Sequence, residues 1–278
     1  MKALTGHLHL RAGLTSSGDT AIVAQSFCAP FHLSKPHWDP DTQVLHAQVV
    51  NPTAGILAGD ALDLAIEVET GAALLLTTPS ASRVFKMEGA EQATGRQHFR
   101  VAAGAWLEVF PEPLVPHAGS AYTQETLLEV AAGGGLFFVD QLMPGRLAHG
   151  EAWKWRQLVL GLRVEVAGTL LLRERWEQSG ESLAALASFT GTGPTTCFAN
   201  GVLILPATAE NAEVPTWVTA IRQLHQNGIW VGMSQLRQAG WSLRVIAPDP
   251  LAMRTTLEAV RKILKTTFPR LGCGLRRP

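Results

Sequence analysis

The chain has 278 residues, 46% of them apolar and 17% charged, enough to bury a core without disulfide or metal staples. Its 23 Lys and Arg balance its 23 Asp and Glu, which excludes the electrostatic footprint of a nucleic-acid or anionic-lipid binder. Self-repulsion between copies is weak at such a balance, so part of the surface is expected to be covered by partners.

In chain order, "GHLHLRAG" alternates Leu8 and Leu10 against His7, His9 and Arg11, the period-two mark of a half-buried strand. "NPTAGILAGD" follows, with Gly55, Gly59 and Asp60. A phosphate loop needs Lys and a hydroxyl after its last glycine, and a dinucleotide fingerprint leads into a helix. Here Gly59 precedes Asp60 and then the alternating strand "ALDLAIEV", so the segment reads as a tight corner presenting a carboxylate. "LLLTTPSASRVFK" then passes from core residues to Thr77 and Thr78. These are either a hydrogen-bonded strand end or a hydroxyl-lined wall.

The pattern V-x-x-G-(A/G)-x-L starts at Val68, Val101 and Val130, with a degenerate copy from Val164. Strand-turn-strand units of this period can stack as coils of a β-solenoid or helical barrel. Ordinary hairpins of a β-sandwich explain the same pattern equally well. Towards the C-terminus, "PTWVTAIRQLHQ" (215–226) predicts a helix, and "IWVGMSQL" and "WSLRVIA" predict strands. Asp249 caps a further helix with Pro250 at its first position. Its stripe of Leu257, Val260, Ile263 and Leu264 runs to about Phe268. The expectation is a mainly β protein: a β-rich body over 1–206 and a small C-terminal αβ section over 207–278 of the same domain, hinged at 206–215.

Candidate chemistry is sparse. His7 and His9 could pinch an ion, but no HExxH, HxxxH or cysteine partner accompanies them. They read as a solvated strand edge. Asp60, Asp63, Asp140 and Glu151 lie near glycine turns and suit hard or borderline ions, with His149 as a softer ligand. There is no GxSxG, Cys197 has no neighbouring histidine, and Ser80 and Ser82 lack a local base. Cys28, Cys197 and Cys273 form no CxxC, which fits a reducing compartment. "MKALTGHLHLRAGL" lacks a signal-peptide core and no apolar run is long enough to span a bilayer. A soluble, cytoplasmic chain is expected.

Four segments taken in order carry a resemblance: "NPTAGILAGD", "LLLTTPSASRVFK", "LEVFPEPLVPHAGSAYTQ" and "VDQLMPGRLAHGE". With "APFHLSKP" upstream, they resemble the urease accessory protein family UreD, called UreH in some organisms. The resemblance runs from about Gly6 to Trp176 and more loosely beyond. It implies a non-enzymatic maturation factor built as a stack of strands with a few helices. Such a factor binds apo-urease, recruits the accessory protein UreF and the GTPase UreG, and serves nickel delivery, with a homodimer arising through the accessory complex. A water-filled internal channel is the implied nickel path, with no tightly bound cofactor.

Carried onto this chain, the resemblance implies Asp60, Thr77, Thr78, Asp140 and Glu151 along that path, with Asp60 and Asp140 as transient Ni²⁺ ligands. Gly55, Gly59, Gly145 and Arg146 are the implied structural turns. Weak oxygen ligands suit transit, because imidazole or thiolate sites would hold the ion. The chain departs from the family pattern at Ala54, Ala58, Pro116–Gly119 and Phe138. Two other readings stand beside it. One is a β-solenoid carbohydrate-active enzyme using an Asp/Glu pair from Asp60, Asp140 and Glu151, which a single tyrosine (Tyr122) and dispersed acids fit poorly. The other is an interaction module with no metal contact.

Overall fold

The three glycine-bearing repeats are corners between two sheets, not hairpins. In the computed structural model, which describes residues 4–51, 53, 55–191, 193–206, 214–226, 228–237 and 240–275, Ala61–Val68 turns into Ala73–Thr77. Ala93–Val101 likewise turns into Trp106–Phe110, and Ala121–Val130 into Gly135–Leu142. Gly71, Gly104 and Gly133 make these corners at φ of 80°, 70° and 78°, where a side chain is strained.

The strands before the corners pair in parallel, with Val68 opposite Val101 and Val101 opposite Val130. The strands after them do the same, aligning Ala73, Trp106 and Gly135. Repeats in parallel register, each covering its neighbour's apolar face, make a β-solenoid of about four turns. The first turn is supplied by Thr5–Leu14 beside Ala61–Val68 and by Val44–Val50 beside Ala73–Thr77.

The degenerate fourth copy ends the stack. Val130 pairs with Val166, two residues beyond the start that the motif suggests, and Gln157–Val166 then folds back on Thr169–Glu177 as an antiparallel hairpin. The opposite end of this seven-stranded sheet is the antiparallel strand Thr20–Phe27. The second, eleven-stranded sheet continues in antiparallel fashion through Cys197–Ile204, Gly240–Ala247 and Trp230–Gln235.

The predicted 215–226 helix spans only Thr216–Arg222, because the chain turns back where Gln226 and Ile229 exchange backbone hydrogen bonds. The last helix is Pro250–Lys265, with the Asp249 carboxylate accepting from Ala252 N at 2.8 Å. It stops short of Phe268, which precedes Pro269 and is biased away from helical geometry. The helix Gly180–Phe189, capped by Ser179, was not among the expected elements. Residues 207–213 of the expected hinge lie outside the described residues. Among the described residues no helix is long and apolar enough to cross a membrane.

One core fills the space between the sheets, with Leu8, Ile66, Phe99 and Leu128 meeting Leu74, Leu107, Leu136 and Phe138. A second lies between the outer face of the larger sheet and the C-terminal helices, joining Leu75, Phe137 and Leu243 to Trp217, Ile221, Leu257 and Val260. Glu108 and Arg261 form an ion pair buried in that layer.

Candidate functional site: a polar cavity between the sheets

The inward positions of the seven-stranded sheet are mostly aliphatic, and the middle strands break that rule. Gln97 and Thr126 sit in a row with Leu64 and Leu162, and Gln124 sits in a row with Leu62 and Leu160. Gln97 Nε2 and the Tyr122 hydroxyl both donate to Gln124 Oε1 at 3.3 Å, and Gln124 Nε2 donates to Thr126 at 3.4 Å. Gly95 makes room for Tyr122, since a Cβ there would lie 2.1 Å from the phenol oxygen. These groups, except Thr126 and Leu162, line a cavity of about 310 Å³, together with Thr77, Thr78, Asp140 and Asn200 from the other sheet.

Asp140 is the chemically distinctive member. Among the described residues its carboxylate has no hydrogen-bond or ion-pair partner. It keeps some accessible surface, which faces the cavity. Burial pushes its pKa up to about 7, because desolvation disfavours the charged form. Across the strand pair, Asn200 has a buried Oδ1 without a partner. Burial, and secondarily the Asp140 charge, push Tyr122 upward, so the phenol remains a neutral donor. Thr77 Oγ1 bonds His46 Nε2 at 2.7 Å, and Thr78 Oγ1 accepts from Glu112 N at 2.8 Å.

The other two acids are tied down elsewhere. Asp60 is 2% exposed, and its two carboxylate oxygens accept from Leu4 N and Leu57 N, each at 2.9 Å. Glu151 takes a two-pronged ion pair from Arg146 and accepts from Ala118 N at 3.2 Å, and the Arg146 bonds lower its pKa to about 2. Neither lines the cavity. Gly145, at φ 122°, allows that loop to close: a Cβ would lie 2.8 Å from the Glu151 carbonyl and 3.0 Å from that of Pro116.

Gly55 lines the cavity, and Gly59 turns at φ 78° just before Asp60. His149 is exposed at the end of the short turn Leu147–His149. Glu112 also lines the cavity but is paired with Arg254 at 2.9 Å. Among the described residues the cavity therefore holds no pair of free carboxylates. Among the described residues no three His, Cys, Asp or Glu side chains already surround a common point. Contrary to the expectation of no cysteine partner, the His7–His9 pair has Cys28 beside it, brought there by the neighbouring antiparallel strand.

Gln97, Tyr122, Gln124 and Asn200 are not among the expected site residues, although Gln97 and Gln124 share the inward parity of Phe99 and Leu128. Amides on the core side of an alternating strand were the available signal.

A raised carboxylate pKa has a signed consequence. The contribution of Asp140 to stability is fully present below the ordinary Asp value, 3.8, and is lost as pH rises through about 7. Asp140→Asn is expected to flatten this decline in urea midpoints measured from about pH 4 to 8. A slope identical to that of the unsubstituted protein would contradict the burial of this group.

The family model described as UreD urease accessory protein matches residues 4–274. The chain is 60% identical to the urease accessory protein UreD of Opitutus terrae, over 98% of both chains. It is 28% identical to that of Actinobacillus pleuropneumoniae serotype 5b, over 93% of this chain and 96% of the other. With the UreD of Acetivibrio thermocellus it shares 24% identity over 92% of this chain and 96% of the relative. A family match along nearly all the described chain, joined by a relative this similar over its whole length, places the chain in the UreD urease accessory protein family.

Proposed function

We propose that the chain is a maturation factor without catalysis of its own, which binds apo-urease, assembles with UreF and the GTPase UreG, and conducts Ni²⁺ through the cavity between its sheets. The observation that carries this reading is the family match over residues 4–274. The cavity supports the finer step. It offers one unpaired carboxylate, Asp140, beside hydroxyl and amide groups, with the exposed Arg83 and Arg96 also on its lining. A divalent ion that keeps most of its water can enter such a place and leave it, because oxygen donors hold a borderline ion weakly. Entry of the cation favours the ionised form of Asp140, so passage rises with pH near neutrality.

On this reading Thr77, Thr78 and Asp140 form the path, while Asp60 and Glu151 hold the loops that shape it. The carbohydrate-active alternative loses support, since Asp60 and Glu151 are hydrogen-bonded away from the cavity that Asp140 lines. The scaffold role is tested by mixing the purified chain with apo-urease, UreF and UreG and following co-elution by size-exclusion chromatography. A joint complex is expected, and separate elution of this chain from apo-urease in the presence of UreF and UreG would overturn the scaffold.

A further inference from the structure

We infer that Cys28, His7 and His9 form a second metal site, on the outer face of the seven-stranded sheet, that takes a borderline divalent transition ion. Alternation along Thr5–Leu14 sends His7 and His9 to the same face, with ring centroids 4.9 Å apart. The end of the neighbouring strand brings the thiol alongside. Cys28 N donates to the His7 carbonyl at 3.0 Å, and Cys28 Sγ lies 3.2 Å from His7 Nδ1. Gly6 is what permits this approach, since a Cβ there would lie 2.3 Å from Pro30 Cδ and 2.7 Å from the Ala29 carbonyl.

The thiol–imidazole hydrogen bond has a spacing that also matches a metal bite. A thiolate about 2.3 Å and an imidazole about 2.1 Å from one ion lie roughly 3.1–3.6 Å apart for angles between ~90° and ~110°. Both imidazoles are held through the other nitrogen. His7 Nε2 contacts Ser26 Oγ at 2.9 Å, and His9 Nε2 contacts Asp63 Oδ2 at 2.6 Å. An oxygen on the far nitrogen is the usual support of a ligating histidine, because it fixes ring orientation and raises basicity. Here it leaves Nδ1 of each ring for the ion.

The charges suit a dication, with the Cys28 thiolate and the Asp63 carboxylate offsetting two positive charges. Capture starts at the Cys28–His7 pair, since no three such groups are placed to hold an ion among the described residues. The exposed His9 and Asp63 side chains then turn together, with Asp63 kept on Nε2, to bring His9 Nδ1 to the ion. The His9 and Asp63 side chains are 49% and 42% exposed, so an ion can reach the site from solvent. None of the four residues lines the cavity, and the site does not depend on the nickel path proposed above.

Co²⁺ is the probe, added to the purified full chain under reducing conditions. Expected is a thiolate-to-cobalt charge-transfer absorption that saturates at one ion per chain. Cys28→Ser removes the band, and His7→Ala weakens binding at least tenfold. Asp63→Asn weakens it by about tenfold through His9. Circular dichroism confirms that each variant is folded, and Asp140→Asn keeps the band. Absence of the band in the unsubstituted protein at millimolar Co²⁺, its survival in Cys28→Ser, or its loss in Asp140→Asn would each overturn the site.

Discussion

Replacing Asp140 with asparagine is expected to lower the nickel content of co-expressed urease at least tenfold while the chain still folds and joins its partners. The substitution keeps shape and removes the one unpaired carboxylate of the cavity. Two unit charges about 4 Å apart attract by roughly 4 kcal/mol at an effective dielectric of about 20, and a dication gains more. Water retained by the ion screens part of this, so a tenfold loss, about 1.4 kcal/mol, is the conservative figure. Nickel per urease active site, measured by atomic absorption with the complex verified by co-purification, gives the readout. Asp60→Asn serves as the contrast. It removes an acceptor of the Leu4 and Leu57 amides, so its primary effect is lost stability. Full nickel loading with Asp140→Asn would sink the cavity path and leave the interaction module as the better account.

The second large effect concerns the layer that holds the C-terminal helix. Arg261 Nε and Nη2 donate to the two Glu108 oxygens at 2.6 and 2.9 Å, and Nη2 also reaches the Cys273 carbonyl at 2.5 Å. Burial pushes the Glu108 carboxyl upward, opposed by Arg261. Arg261→Ala leaves a buried carboxylate without its counter-charge, and such losses cost about 3–5 kcal/mol. The double variant Glu108→Leu with Arg261→Met removes both charges at similar volume and is expected to recover most of that loss. Urea midpoints for Glu108→Leu, Arg261→Met and the double variant measure the coupling. Additive losses, with no recovery in the double variant, would contradict a pair that works as a unit.

Much of the architecture was legible because the corners are local. A valine strand, a glycine two or three residues on and a second strand encode a turn with positive φ, and Gly71, Gly104 and Gly133 each adopt one. That local code fits a hairpin as well as a solenoid corner. What separates them is the register between repeats about thirty residues apart, which a single repeat does not contain. The fourth copy illustrates the limit: its valine is offset by two, and the same glycine signal makes a true hairpin.

The site was legible in type more than in place. Thr77, Thr78 and Asp140 do share a cavity. Asp60 lies at a corner as its motif implied, yet its partner Leu4 is 56 residues away, and nothing near Asp60 in the chain announces that bond. Glu151 is occupied by Arg146, a neighbour close enough in sequence to have been suspected. Cys28 stands 21 residues from His7 and meets it only because two antiparallel strands bring them together.

The central claim is that this chain is required for metal delivery to urease. It is tested most directly by producing urease with UreF, UreG and nickel in a urease-free host, with and without this chain, and counting nickel per active site. The account predicts near-complete loading with the chain and a small residual fraction without it. Equal loading in the two preparations would contradict the account.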